Sequence, residues 1–227
     1  MTRDRRLGLL GGTFDPIHVG HLDAGEAAQQ ALGLDELLVV PSHDPPHRPV
    51  EPHASAYHRF ALVALAIDGR PGWRTSDVEV AREGPSYTAD TLRTLRAGGW
   101  RGSQIFFILG ADAFAEIATW LEYPAVLDLA HFAVIARPGT TLDAAVSRTP
   151  ALRPRMRPSG AAHGQLSDTA VFLVEAQTRD VSSTAIRARR AAGLPIDDLV
   201  PAAVARHILT HDLYRPVDDL HGQDQGS

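Results

Sequence analysis

The chain has 227 residues, 44% of them apolar, and a formal charge of −5; all 22 of its basic residues are arginine. That length and apolar content predict one sizeable domain with a full core, and the acidic balance argues against a general nucleic-acid surface. The absence of cysteine excludes disulfides and thiolate chemistry and fits a reducing cytoplasm, while the apolar run after Arg3, Arg5 and Arg6 is too short for a signal peptide and no stretch reaches the length of a membrane span.

In chain order, apolar runs predict strands over 6–10, 36–41, 72–78, 104–109, 131–136 and 170–175. Between and after them, helices are predicted over 20–32, 55–67, 88–98, 112–117, 123–129, 183–192 and 201–211. Residues 105–109, Ile-Phe-Phe-Ile-Leu, are apolar throughout, as a parallel strand covered on both faces requires. Alternating strands and helices imply right-handed crossovers, hence an α/β fold with a doubly wound, mostly parallel sheet and a C-terminal helical segment. Residues 1–215 are expected to form a single domain. Residues 138–169 read as irregular, and the polar tail 216–227 is expected to be disordered.

Residues 8–21, Gly-Leu-Leu-Gly-Gly-Thr-Phe-Asp-Pro-Ile-His-Val-Gly-His, are the most informative stretch. A strand stopping at a Gly11-Gly12 turn before an alanine-rich helix brings backbone N–H groups to a phosphate in α/β folds. His18 and His21 stand three apart, so a helix starting near His18 puts them on one face. The small Gly20 between them leaves room for a flat ring or a ribose. Zinc is disfavoured, because no acidic residue accompanies the pair in a His-Glu-x-x-His arrangement. The adjacent His43-Asp44 and His211-Asp212 pairs lack the regularly placed further ligands a metal site needs.

Further strings lie just after predicted strands or at helix starts. Pro41-Ser42-His43-Asp44-Pro45-Pro46-His47-Arg48 reads either as a stiff connection or as a rigid loop offering His47 and Arg48 to phosphates. Gly84-Pro85-Ser86-Tyr87-Thr88 turns into a helix with Thr88 as its expected N-cap. Gly110-Ala111-Asp112 follows the most apolar strand, Trp120 lies beyond it, and Arg137 follows the next strand. Val181-Ser182-Ser183-Thr184-Ala185-Ile186-Arg187 starts a helix with consecutive hydroxyls, which either cap it or meet a polyphosphate.

The first of these strings resembles the signature of the HxGH nucleotidylyltransferase superfamily, and 181–187 resembles its second signature with Val181 in place of Ile. Within the superfamily, the Gly-Pro-Ser-Tyr-Thr string is most similar to that of the bacterial nicotinate mononucleotide adenylyltransferases. The 41–48 loop is similar to theirs too, with Ser42 for Asn and Arg48 for Lys. The resemblance covers roughly residues 8–214. It implies an ATP subsite built from Gly11, Gly12, Thr13, Phe14, His18, His21, Gly110, Ser183, Thr184 and Arg187, with His18, His21 and Arg187 catalytic. It implies a mononucleotide subsite built from Asp15, Ser42, His47, Arg48, Tyr87, Thr88, Asp112, Trp120 and Arg137. Trp120 would stack on the pyridine ring, Asp112 would contact ribose, and the Thr88 segment would hold the nicotinate carboxylate.

The implied reaction is adenylyl transfer from ATP to nicotinate mononucleotide, with Mg²⁺ carried on ATP and no protein-held metal. Small-molecule substrates are expected as partners, neither nucleic acid nor membrane is, and assembly into a homo-oligomer stays open. The alternatives are phosphopantetheine or nicotinamide mononucleotide as acceptor, or a nucleotide-binding regulator without activity. Class I aminoacyl-tRNA synthetases share the His-x-Gly-His logic, but their lysine-rich second signature has no counterpart in a lysine-free chain.

Overall fold

A computed structural model describes residues 4–46, 51–136, 146–163 and 168–215. Seven strands form one sheet: β1 (Leu7–Gly12), β2 (Glu36–Pro41), β3 (Trp73–Thr75), β4 (Ile105–Gly110), β5 (His131–Ile135), β6 (Met156–Pro158) and β7 (Val171–Val174). The order across the sheet is β3-β2-β1-β4-β5-β7-β6, and every neighbouring pair is parallel. The helices are α1 (Val19–Leu32), α2 (Ala56–Ile67), α3 (Thr88–Ala97), α4 (Ala111–Ala115), α5 (Ser183–Ala191) and α6 (Ala202–Thr210).

Strand side chains alternate between two cores, which is why the strands read as continuous apolar runs. On β4, Phe106 and Ile108 join Leu22, Leu62 and Val204 from α1, α2 and α6. Ile105, Phe107 and Leu109 face the other way, against Leu92 of α3 and Phe114 of α4. Each fully buried side chain of this size contributes roughly 2 kcal/mol of hydrophobic stabilisation. The doubly wound architecture is therefore present, and β1 and β4 meet where the strand order reverses. In open parallel sheets that reversal opens a crevice beyond the strand C-termini.

Four local expectations are corrected. Gly11 and Gly12 do not form the turn; β1 runs through both, in register with Val40 and Pro41 of β2. The strand expected over 72–78 ends at Thr75, and Ser76 closes it with a bond to the Val39 carbonyl. The helix expected over 123–129 is a single 3₁₀ turn, Ala125–Asp128, because only a short span separates Pro124 from β5. Within the stretch read as irregular, β6 forms an edge strand ending in Pro158, a position where a missing N–H is tolerated.

Candidate active site

The loop after β1 is shaped by aromatic packing. Phe14 holds a left-handed φ of 50°, and its buried ring meets His21 edge-on at 5.0 Å. A Cβ on Gly12 would come within 3.0 Å of the Phe14 ring, so this glycine makes room for the protein's own side chain. His18 is the N-cap of α1. Its N–H donates to His21 Nδ1 at 3.3 Å, and the two rings stack with centroids 3.7 Å apart. His18 is 3% exposed, whereas His21 is half-buried. A Cβ on Gly20 would lie 3.0 Å from the Arg179 carbonyl and 3.3 Å from His18 Nδ1. Its small size thus serves the chain's own packing, not only the approach of a ligand ring.

The second signature docks on the first. Ser182 is the capping hydroxyl of α5, accepting from the Ala185 N–H at 3.1 Å. Ser183 instead donates across to the Pro16 carbonyl at 2.8 Å. Arg187 donates from Nη1 to the Asp15 carbonyl at 2.7 Å and from Nη2 to Thr184 Oγ1 at 3.3 Å. The Asp15 carboxylate is turned inward at 1% exposure, accepting the N–H groups of His53 at 2.9 Å and Ala54 at 3.1 Å. Burial first, and then this carboxylate, push the Tyr214 phenol well above its usual range.

Arg59 of α2, at 1% exposure, ties the site loops together. It donates to the carbonyls of Ala54 at 3.1 Å, Thr13 at 2.8 Å, Ser42 at 2.5 Å and His43 at 2.9 Å. A delocalised cation with several forked donors suits such a cluster of carbonyls. Ser42 is buried, and among the described residues its Oγ has no hydrogen-bond partner.

A small cleft gathers Pro46, Ser86, Tyr87, Thr88, Trp120 and Leu121. Trp120 stands edge-on to Phe107 at 5.8 Å, anchoring the indole to the core beneath the cleft. The N-cap of α3 is Tyr87 rather than Thr88, which occupies the first helical position. Gly110 ends β4 and is the N-cap of α4, with Asp112 exposed in that helix's first turn. His47, Arg48 and Arg137 lie outside the described residues. Among the described residues, no three His, Cys, Asp or Glu side chains are grouped to hold a metal ion.

Arg59 and the buried Glu79 behind the cleft are not among the residues expected from the sequence. One signal was present for Arg59, a lone cation inside the apolar helix Ala-Tyr-His-Arg-Phe-Ala-Leu-Val-Ala-Leu-Ala-Ile. Glu79 had none, since a carboxylate between strand and helix reads as surface.

The profile of the cytidylyltransferase-like family matches residues 9–189. This chain belongs to that family. A cytidylyltransferase-like relative from Saccharopolyspora erythraea, named "Probable nicotinate-nucleotide adenylyltransferase", is 38% identical over 226 residues, spanning 100% of this chain and 97% of that protein. One of the same name from Yersinia pestis is 39% identical over 211 residues, spanning 91% of this chain and 94% of its own length. In fold, this cytidylyltransferase-like chain matches Plasmodium falciparum nicotinic acid mononucleotide adenylyltransferase, solved complexed with APC and with NaAD. Both give a TM-score of 0.69 at 17% identity, covering 93% of this chain and 98% of that one.

Proposed function

We propose that this chain transfers the adenylyl group of ATP to nicotinate mononucleotide, giving nicotinate adenine dinucleotide and pyrophosphate. The observation that carries this is the docking of Arg187 and Ser183 on the Asp15 and Pro16 carbonyls, which sets the second signature against the His18–His21 pair. The names of its relatives agree with it.

In the reaction, a phosphate oxygen of the mononucleotide bonds to the α-phosphorus of ATP, and the bond to the pyrophosphate oxygen breaks. The attacking phosphate is largely dianionic near neutrality, with a second pKa of about 6. It therefore needs no strong base, and the residues act by positioning and by stabilising charge. His21 Nδ1 accepts the His18 N–H, so a neutral His21 carries its proton on Nε2 and can offer it to a phosphoryl oxygen. His18 backs that ring and fixes its orientation. Arg187, with Thr184 beside it, meets the triphosphate. Mg²⁺ arrives as part of the ATP substrate, keeping its waters. No cage of side chains for it is formed by the described residues.

In the acceptor subsite, Tyr87, Thr88 and Trp120 line the cleft, and an indole face suits an electron-poor pyridine ring. The unpartnered Ser42 hydroxyl and His47, Arg48, Asp112 and Arg137 complete this reading, while Asp15 acts by holding the 53–54 backbone. The deciding experiment is pyrophosphate release with ATP and Mg²⁺, offering each mononucleotide separately. Release with the nicotinate form is the expected result. Equal rates with the nicotinamide form would remove the assigned carboxylate recognition, and release with phosphopantetheine alone would overturn the acceptor.

A further inference from the structure

Glu79 lies between β3 and α3, where a carboxylate would ordinarily face water, yet it is 8% exposed. Its Oε1 accepts the Thr91 hydroxyl at 2.6 Å, and the Ser86 hydroxyl also donates to it. Each hydroxyl has one proton to give, and each receives another bond in return. Ser86 Oγ accepts the His43 N–H at 2.9 Å, and Thr91 Oγ1 accepts from Arg82 at 3.3 Å. The Ser86 N–H donates to the Asp44 carbonyl at 2.8 Å, and Asp44 and Pro85 form a parallel bridge. The network is closed, running from the loop after β2, through Ser86 and Glu79, into the first turns of α3.

Burying a carboxylate is costly, and an apolar residue of similar size is often as stable or more so. Burial indeed pushes the Glu79 carboxyl up from its ordinary value, against the pull of its two hydroxyl partners and Arg82. What the carboxylate supplies is acceptance of two hydroxyl protons at once, which fixes how Ser86 and the start of α3 are turned. Ser86 and its neighbours Tyr87 and Thr88 line the acceptor cleft.

We propose that Glu79 is a positioning residue for acceptor recognition: through Ser86 and Thr91 it holds the Ser86–Thr88 strip against the loop after β2. This rests on the reading of the cleft as the acceptor subsite. Glu79 touches no substrate, and it sets the shape of a wall.

The test is steady-state kinetics of the full chain carrying Glu79→Leu, Glu79→Gln or Thr91→Val, with thermal melts of each. Glu79→Leu should raise the KM for the mononucleotide about tenfold or more, the scale of losing one or two hydrogen bonds to a charged group. The KM for ATP and kcat should stay within about twofold. Glu79→Gln keeps one acceptor oxygen and should recover part of that loss. Thr91→Val removes the Thr91 hydroxyl's bonds to Glu79 and from Arg82 at nearly constant shape and leaves the Ser86 bond in place. It should raise the same KM by a smaller factor, and the proposal stays open to test if Glu79→Leu does not fold. Equal rises in both KM values, or a lowered melting temperature with unchanged KM values, would overturn it. If the wild-type chain turned over a different acceptor, the assigned function would fall separately, and Glu79 would be judged on that acceptor's KM against that of ATP.

Discussion

Arg187 donates to the backbone carbonyl of Asp15 at 2.7 Å across 172 positions of sequence. Its side chain is 14% exposed, so one guanidinium both fastens the C-terminal signature to the N-terminal one and borders the site. Charge alone does not reproduce this, since a lysine ammonium lacks the fork that reaches Asp15 and Thr184 together. Arg187→Ala should lower turnover by about 100-fold, the scale of one lost transition-state donor, and Arg187→Lys should recover little of it. Rapid-quench measurement of pyrophosphate formation separates this from slow product release.

In the proposed reaction His21 meets the phosphoryl group and the stacked His18 ring holds it in place. His18→Ala should reduce turnover by roughly 10²–10⁴-fold with folding intact. Near-normal turnover in a folded His18→Ala protein would falsify the assignment.

Trp120 lines the cleft proposed for the acceptor, and the proposed ATP subsite lies elsewhere. Trp120→Ala should therefore raise chiefly the mononucleotide KM, by about tenfold for a lost stacking partner. A rise confined to the KM of ATP is the outcome that rules out stacking.

Acid should weaken the fold through His131, at the first residue of β5. Burial holds its imidazole down to about 4 from the ordinary 6.5, and its Nδ1 accepts the Ala170 N–H at 3.0 Å. Between those values the unfolded chain binds a proton that the folded chain does not. Stability from this group is thus complete above pH 6.5 and is lost as pH falls toward 4. The full loss is about 3 kcal/mol. Urea midpoints measured across that window should fall less steeply for His131→Gln, whose amide can keep the Ala170 bond without titrating.

Arg59 should matter to the fold as much as to the site. Replacing it by Met orphans four carbonyls, a loss of about 3 kcal/mol or more. Urea unfolding measures it, and an unchanged midpoint for Arg59→Met would show that water satisfies those carbonyls.

Strands β1, β2, β4, β5 and β7 were legible because their apolar residues face two cores, leaving no polar alternation to confuse the reading. The signature strings were legible because they sit at strand ends and helix starts, where backbone groups are open to ligands. Individual roles within them were not. Ser183 and Asp15 have side chains that hold backbone of the chain itself, and spacing alone does not distinguish a hydroxyl turned to a carbonyl from one turned to a phosphate. The three-residue β6 carries too few side chains to show a period, and Arg59 and Glu79 owe their roles to partners far away in sequence.

Arg59 joins the carbonyl of Thr13 to those of Ser42 and His43. The loop after β1 and the loop after β2 hang on a single guanidinium, so a displacement of one strains the other. Retuning acceptor choice by remodelling the loop after β2 would drag the nucleotide loop with it. Side-chain exchange in the cleft, at Tyr87 or Trp120, avoids that coupling. Acceptor range in this scaffold is therefore free to drift through its lining and constrained through its backbone.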